Sequence, residues 1–378
     1  MLPKMKKKVL ITGGAGFIGS HLADDLLARG YQVRVLDCLS SQVHGDTSSP
    51  PAYLDRDVEF VAGDVRDSRA VAQALKWVDA VYHFAALVGV GQSMYKVAEY
   101  CSVNDLGTAV LLENLIAHPV EKLVVASSMS IYGEGLYSDS AGNLYEDAQR
   151  NLDQLRSGDW NIRNGAGEPL TALPTPETKT PSVASVYALS KYNQERICLI
   201  IGRAYGIPTV ALRFFNAYGT RQALSNPYTG VLAIFAARIL NGKSPLVFED
   251  GMQQRDFVAV EDVARACRLA MERETVNGAE PVLNIGSGKP LSILQIGRSA
   301  ARALGCHSCT PEVTGKYRMG DIRHCFADIS LARKELGFEP RITLEKGLVK
   351  LAEWLAGQVP VDRVMEASAE LSSRGLAI

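Results

Sequence analysis

Residues 9–29 constrain the fold more than any other stretch of the chain. Val9, Leu10 and Ile11 form an apolar run of the kind that lies in a buried parallel strand, and Leu22, Leu26 and Leu27 fall on one side of a helix beginning near residue 20. Between them runs Thr12-Gly13-Gly14-Ala15-Gly16-Phe17-Ile18-Gly19. In a strand-to-helix turn of this kind Gly13 permits the tight bend, Gly16 lets backbone approach a pyrophosphate, and Gly19 lets the helix pack closely on the strand. The phosphates would face the unpaired amides at the helix start, where Phe17 and Ile18 stand, and the positive end of the helix dipole.

A second apolar run, residues 32–36, ends at Asp37, about 20 residues past the glycines. A carboxylate there accepts both ribose hydroxyls and repels a 2′-phosphate, so NAD is favoured over NADP. Further strands are predicted at 58–64, 80–86, 121–128 and 209–216, and helices at 100–116 and 187–205. Asp64 and Val65 end the third strand, where an adenine would lie; Phe84, Ala85 and Ala86 end the fourth and permit close approach of a cofactor. His83, entering the core on that strand, reads as a hydrogen-bonded structural residue. This alternation specifies an α/β fold, a Rossmann-type doubly wound parallel sheet with chemistry at the carboxyl ends of its strands.

Beyond residue 215 the alternation weakens, which predicts an NAD-binding domain over 1–215 and a smaller C-terminal α/β substrate-binding lobe over 216–378, with strands near 254–285 returning to the first. A polar insertion at about 134–184, carrying Leu155 and Trp160, reads as a partly ordered flap near the site.

With 378 residues, 47% hydrophobic, and a net charge of −1, the chain has no overall attraction for nucleic acid or an anionic membrane, and no stretch of it approaches a membrane span. A small-molecule partner is expected. Seven scattered cysteines fit a reducing cytoplasm better than a disulfide framework, and Cys306 with Cys309, lacking a second pair at zinc-site spacing, reads as coincidence, so no metal is assigned.

Ser128, at a strand end, and Tyr187 with Lys191, four apart on a helix, form the strongest chemical constellation. A tyrosine has a pKa of about 10 and must lose roughly 3 units, about 4 kcal/mol, to act as a base near neutrality. The Lys191 ammonium and a positive nicotinamide ring could supply that by favouring the phenolate, with Ser128 bonded to the same substrate oxygen.

Together with the glycine turn and Asp37, the runs 127–133 and 213–216 and the pair Tyr187 and Lys191 resemble extended short-chain dehydrogenase/reductases acting on nucleotide sugars. The resemblance implies Ser128, Tyr187 and Lys191 as catalytic residues. It implies NAD contacts from Gly13, Gly16, Phe17, Ile18, Gly19, Asp37, Asp64, Val65, Phe84, Ala85, Ala86, Asn104, Tyr187, Lys191 and Phe214, and contacts to a nucleotide-diphosphate sugar from Ser130, Asn216, Arg255, Arg318 and Asp321. A homodimer built from the helices at 100–116 and 187–205 is implied as well.

In the family's dehydratases an Asp and a Glu follow the catalytic hydroxyl residue, and in its decarboxylases a Glu; here Met129 and Ser130 stand there, and neither can transfer the needed proton. Epimerisation at C4 through a transient ketone is the expected reaction. The runs 89–95, 128–135 and 221–230 resemble the family's dTDP-L-rhamnose 4-epimerases; a UDP-sugar 4-epimerase, a reductase or dehydratase, and a non-catalytic NAD-binding protein are the alternatives.

Overall fold

The computed structural model describes residues 7–228, 230–274, 281–306, 308–317, 321–358 and 361–376. Seven strands lie side by side, all parallel, in the order Val282–Ile285, Thr209–Phe214, Lys122–Ser128, Ala80–His83, Lys8–Thr12, Gln32–Asp37, Glu59–Ala62. Register puts Ile11 beside Val35 on one neighbour and Tyr82 on the other. Because successive side chains point to opposite faces, each strand feeds two cores. Val9, Ile11, Val35 and Val124 pack with Leu22 and Leu26 of the helix Phe17–Ala28 and Val263 of Val260–Glu272. Leu10, Leu36, Leu123 and Val125 pack on the other face with Leu111 of Gly107–Ala117 and Leu199 of Val186–Tyr205. Near-continuous burial of Lys122–Ser128 follows from lying between strands and between helix layers at once.

The helix expected over 100–116 begins earlier and is not uniform: Val97–Tyr100 is α-helical, Cys101–Leu106 is a π-helix, and Gly107–Ala117 is α-helical again. The long helix Val186–Tyr205 starts where the Ser185 hydroxyl caps the Ala188 amide and stops at Gly206, whose φ of 69° ends it in a left-handed residue.

After residue 215 the chain alternates between the two parts. Of the strands expected near 254–285 to return to the first domain, Val282–Ile285 joins the large sheet, but Gln254–Ala259 does not: it pairs with Asn216–Tyr218, Pro290–Ser292 and His324–Cys325 in a separate sheet. Tyr218, Leu232, Phe235, Phe257, Ile296 and Leu351 form a separate apolar core beside these strands. The insertion is ordered: Leu144–Tyr145, Leu136–Ser138 and Thr171–Leu173 make a three-stranded antiparallel sheet, with a short helix at Leu152–Arg156.

Cys306 and Cys309 correct the reading that their spacing is coincidental, because they form a disulfide. Cys38, Cys101, Cys198, Cys267 and Cys325 are free thiols. Among the described residues no helix is long and apolar enough to cross a membrane.

Candidate active site

Where the first strand turns into the first helix, backbone crowding requires glycine. Gly13 has φ +70°, and a Cβ there would lie 2.8–3.0 Å from the backbone of Ala85 and Phe84; at Gly19 it would lie 2.6 Å from Gly14 Cα. Gly16 starts the helix in extended backbone with no side-chain cap, so the amides that follow are left for a ligand.

The Asp37 carboxylate receives the Ala15 amide at 3.0 Å and the Leu39 amide at 2.9 Å, which fixes it at the strand end with lone pairs to spare. The Tyr53 hydroxyl donates to the Ala15 carbonyl at 2.8 Å, and Arg66 pairs with Asp64 at 2.5 Å, holding its carboxyl below the usual range; neither partner was singled out by sequence pattern. The Phe84 and Ala85 amides both donate to Thr12 Oγ1 at 3.2 Å, and the Phe84 ring meets Phe214 edge-on, 6.0 Å between centroids. Val65 is buried. An uncapped helix start, a glycine cradle and an anchored acid at the next strand end are what a dinucleotide needs, so the residues present fit NAD.

Lys122–Ser128 delivers Ser128 to the same edge of the sheet. Its Oγ accepts from the Ser130 amide at 3.1 Å and from Ser130 Oγ at 2.9 Å, which leaves the Ser128 proton free to be donated. Tyr187 is buried, its ring edge-on to Tyr100 at 6.5 Å and its amide donating to Ser93 Oγ at 3.0 Å. Burial pushes the phenol above its ordinary pKa, and a hydrogen bond with Ser128 opposes that.

Lys191 is buried on the same helix, and its ammonium donates to Gln194 Oε1 at 2.6 Å; burial lowers its pKa to about 8. Lys191, expected beside the phenol, therefore has Gln194 as its hydrogen-bonding partner. Gln194 donates onward to Thr108 Oγ1 at 2.7 Å, and Thr108 Oγ1 meets His83 Nε2 at 2.8 Å. His83 is sealed between Thr12 and Thr108, and burial lowers its pKa to about 3, so it is neutral and structural. Asn104, fully buried in the π-helix, brackets Leu87 and Ser190 through Oδ1 and Nδ2.

On the substrate side, Arg255 Nη2 pairs with Asp321 Oδ1 at 3.3 Å and also reaches the Ile322 carbonyl. The Asn216 Oδ1 is buried with no hydrogen-bond partner among the described residues. Arg318, expected beside them, lies outside the described residues. Two residues not anticipated from sequence stand here: Arg150, from the insertion, and Glu249, paired at 2.7 Å.

With this geometry in place the chain can be set beside known proteins. A profile of the NAD dependent epimerase/dehydratase family matches residues 9–151 and 165–286. The chain belongs to that family, and NAD is its cofactor. It is 35% identical over 358 residues to a dTDP-L-rhamnose 4-epimerase of Burkholderia thailandensis, covering 93% of this chain and 96% of that protein. Among solved structures it is similar to the UDP-glucose 4-epimerase of Thermotoga maritima with UDP-glucose (TM-score 0.75, 31% identity, 92% of this chain and 98% of that one). A second similar structure is the Thermus thermophilus UDP-glucose 4-epimerase in complex with NAD (TM-score 0.72, 31% identity, 93% and 100% covered).

Proposed function

We propose that the protein is a nucleotide-diphosphate-sugar 4-epimerase in which Ser128, Tyr187 and Lys191 are catalytic. The observation that carries this is the site's acid–base content: a phenol against a serine hydroxyl at the strand end, followed by Met129 and Ser130, with Ser130 spent on Ser128. Elimination or decarboxylation needs a second proton-transferring group at that position; inversion at C4 needs only one.

Bound NAD supplies the hydride acceptor at C4 and a positive ring near the phenol. Tyr187 takes the proton of the C4 hydroxyl and later returns it, and Ser128 donates to the same oxygen. Lys191 supplies the positive charge that favours the phenolate over the neutral form raised by burial. Arg255 and Asp321 anchor the diphosphate and ribose, and Arg318 and Asn216 belong to the same set; remote binding energy keeps the nucleotide in place while the ketone turns over. Ser130 lines the sugar side.

The substrate favoured by the 35% identical relative is dTDP-L-rhamnose, giving dTDP-6-deoxy-L-talose; the UDP-glucose epimerase structures support a UDP-sugar equally well. Incubation with dTDP-L-rhamnose, UDP-glucose and UDP-N-acetylglucosamine, followed by sugar NMR, tests the reading: a C4 epimer from one of them supports it, and no conversion of any by NAD-loaded protein contradicts it. A homodimer belongs to the same proposal, supported by exposed Leu106, Leu189 and Ile200 on the two helix segments concerned; gel filtration showing only monomer would refute it. A cytoplasmic location is supported by the five free cysteines, and the Cys306–Cys309 bond runs against it.

A further inference from the structure

The insertion touches Tyr317 and the segment 321–328 at point after point. Glu134, at its start, accepts the amides of Arg323 at 2.7 Å and His324 at 3.1 Å. Arg150 donates through Nη2 to the Asp321 carbonyl at 2.9 Å and through Nη1 to Glu249 Oε1 at 2.7 Å. The Trp160 ring lies 6.0 Å from that of Tyr317, whose buried hydroxyl has no partner among the described residues. Thr175, near its end, exchanges backbone hydrogen bonds with Phe326 and Asp328. Arg150 reaches Asp321, whose carboxylate pairs with Arg255, while Glu134 reaches the neighbouring Arg323, whose carbonyl also accepts from Arg255 at 3.1 Å.

Arg150 is also built in deeply. Its side chain is 4% exposed and that of Glu249 1%, and Glu249 sits at φ +52°, a left-handed conformation that a non-glycine residue adopts only when its surroundings hold it there. Glu249 keeps a second cation, Arg323 Nη1 at 2.9 Å, so losing Arg150 does not leave that carboxylate unpaired. Among the described residues, what loses its only cationic donor is the Asp321 carbonyl.

We propose that the insertion sets nucleotide affinity through Arg150, a positioning residue that holds Asp321 and, through it, Arg255 in register for the ribose and diphosphate. This rests on the nucleotide-sugar reading above. The class of ligand concerned is the nucleoside diphosphate, not the sugar, because Arg150 bonds Asp321, which the reading above places with Arg255 on the diphosphate and ribose.

The test is calorimetric binding of dTDP and UDP to NAD-loaded wild type and Arg150→Met, with steady-state kinetics on the accepted sugar nucleotide. We expect Kd and KM to rise about tenfold, with kcat changed by less than about threefold. A folded variant that binds the diphosphate as tightly as wild type, or one that loses kcat with Kd unchanged, overturns the inference. If Arg150→Met fails to fold, Arg150→Lys decides on the same criteria, since its single ammonium keeps the charge opposite Glu249 but cannot present the forked donors that reach both acceptors. Wild-type protein that binds neither nucleotide would overturn the nucleotide-sugar reading and this inference with it, whereas tight binding shared by wild type and variant overturns this inference alone.

Discussion

Lys191 donates to Gln194 Oε1 at 2.6 Å, one turn further along the same helix. Burial lowers the lysine to about 8, and a carbonyl acceptor stabilises its charged form. Gln194→Leu removes that acceptor, so Lys191 loses its proton at lower pH and the phenolate loses its cationic support sooner. The alkaline limb of kcat should move down by about one pH unit, a change of about 1.4 kcal/mol in the lysine's protonation. An alkaline limb that stays in place contradicts this role for Gln194.

At the cofactor turn, Gly13→Ala would put a Cβ 2.8–3.0 Å from the backbone of Phe84 and Ala85 in a residue at φ +70°. Strain and overlap together should cost about 2–3 kcal/mol and displace the turn from the phosphates. The purified variant should release less than about a tenth of the wild-type NAD on acid treatment, which from a nearly saturated wild type takes a loss of about 2.7 kcal/mol in binding. Full NAD occupancy with an unchanged melting temperature would show that the crowding is relieved elsewhere.

The strand–turn–helix, the place of Asp37 at the end of the second strand and the seven parallel strands were legible because each depends on neighbours in sequence or on a period of two or 3.6 residues. The π-helix at Cys101–Leu106 was not, since nothing in its apolar spacing distinguishes an i→i+5 turn from an α-helix. Nor was the Arg150–Glu249 pair, whose members lie 99 residues apart and meet only after two lobes and an insertion are assembled. The Lys191–Gln194 bond is different: three residues apart on one helix, it could have been read from spacing alone. The disulfide at Cys306 and Cys309 was set aside for want of a second pair at zinc-site spacing, a criterion that addresses metals and not a bond between two cysteines.

Behind the strand Lys122–Ser128, Glu195 is fully buried and takes Arg213 through both oxygens at 2.8 and 3.0 Å and the Ser127 hydroxyl at 2.7 Å. Arg213 continues to Tyr132 at 2.8 Å, linking the helix to the turn after Ser128. Glu195→Gln leaves a guanidinium buried without its counter-charge and should cost about 3–5 kcal/mol. Urea unfolding measures it; a loss under about 1 kcal/mol would mean that the pair is compensated by Tyr132 and by the carbonyl of Glu177.

Acid sensitivity has a named source in His83. Its folded pKa of about 3 lies below the ordinary 6.5, so the unfolded chain takes up a proton that the folded one refuses. Stability from this residue is complete above pH 6.5 and is lost as pH falls toward 3. Between pH 7 and 5 the loss is about 2 kcal/mol. His83→Phe lowers stability at pH 7 by removing the imidazole's hydrogen bonds to Thr12 and Thr108, yet its dependence on pH over this range should be shallower by that amount; an equally steep dependence in urea midpoints would assign the acid loss to other groups.

The proposed proton shuttle at Tyr187 is tested most directly by following C4 of the accepted sugar nucleotide by NMR in deuterated water, with NAD-loaded wild type and Tyr187→Phe side by side. Wild type should interconvert the C4 epimers without placing deuterium on C4, while the variant retains NAD and turns over about 1,000-fold more slowly. Deuterium at C4, or a variant as fast as wild type, would contradict the account.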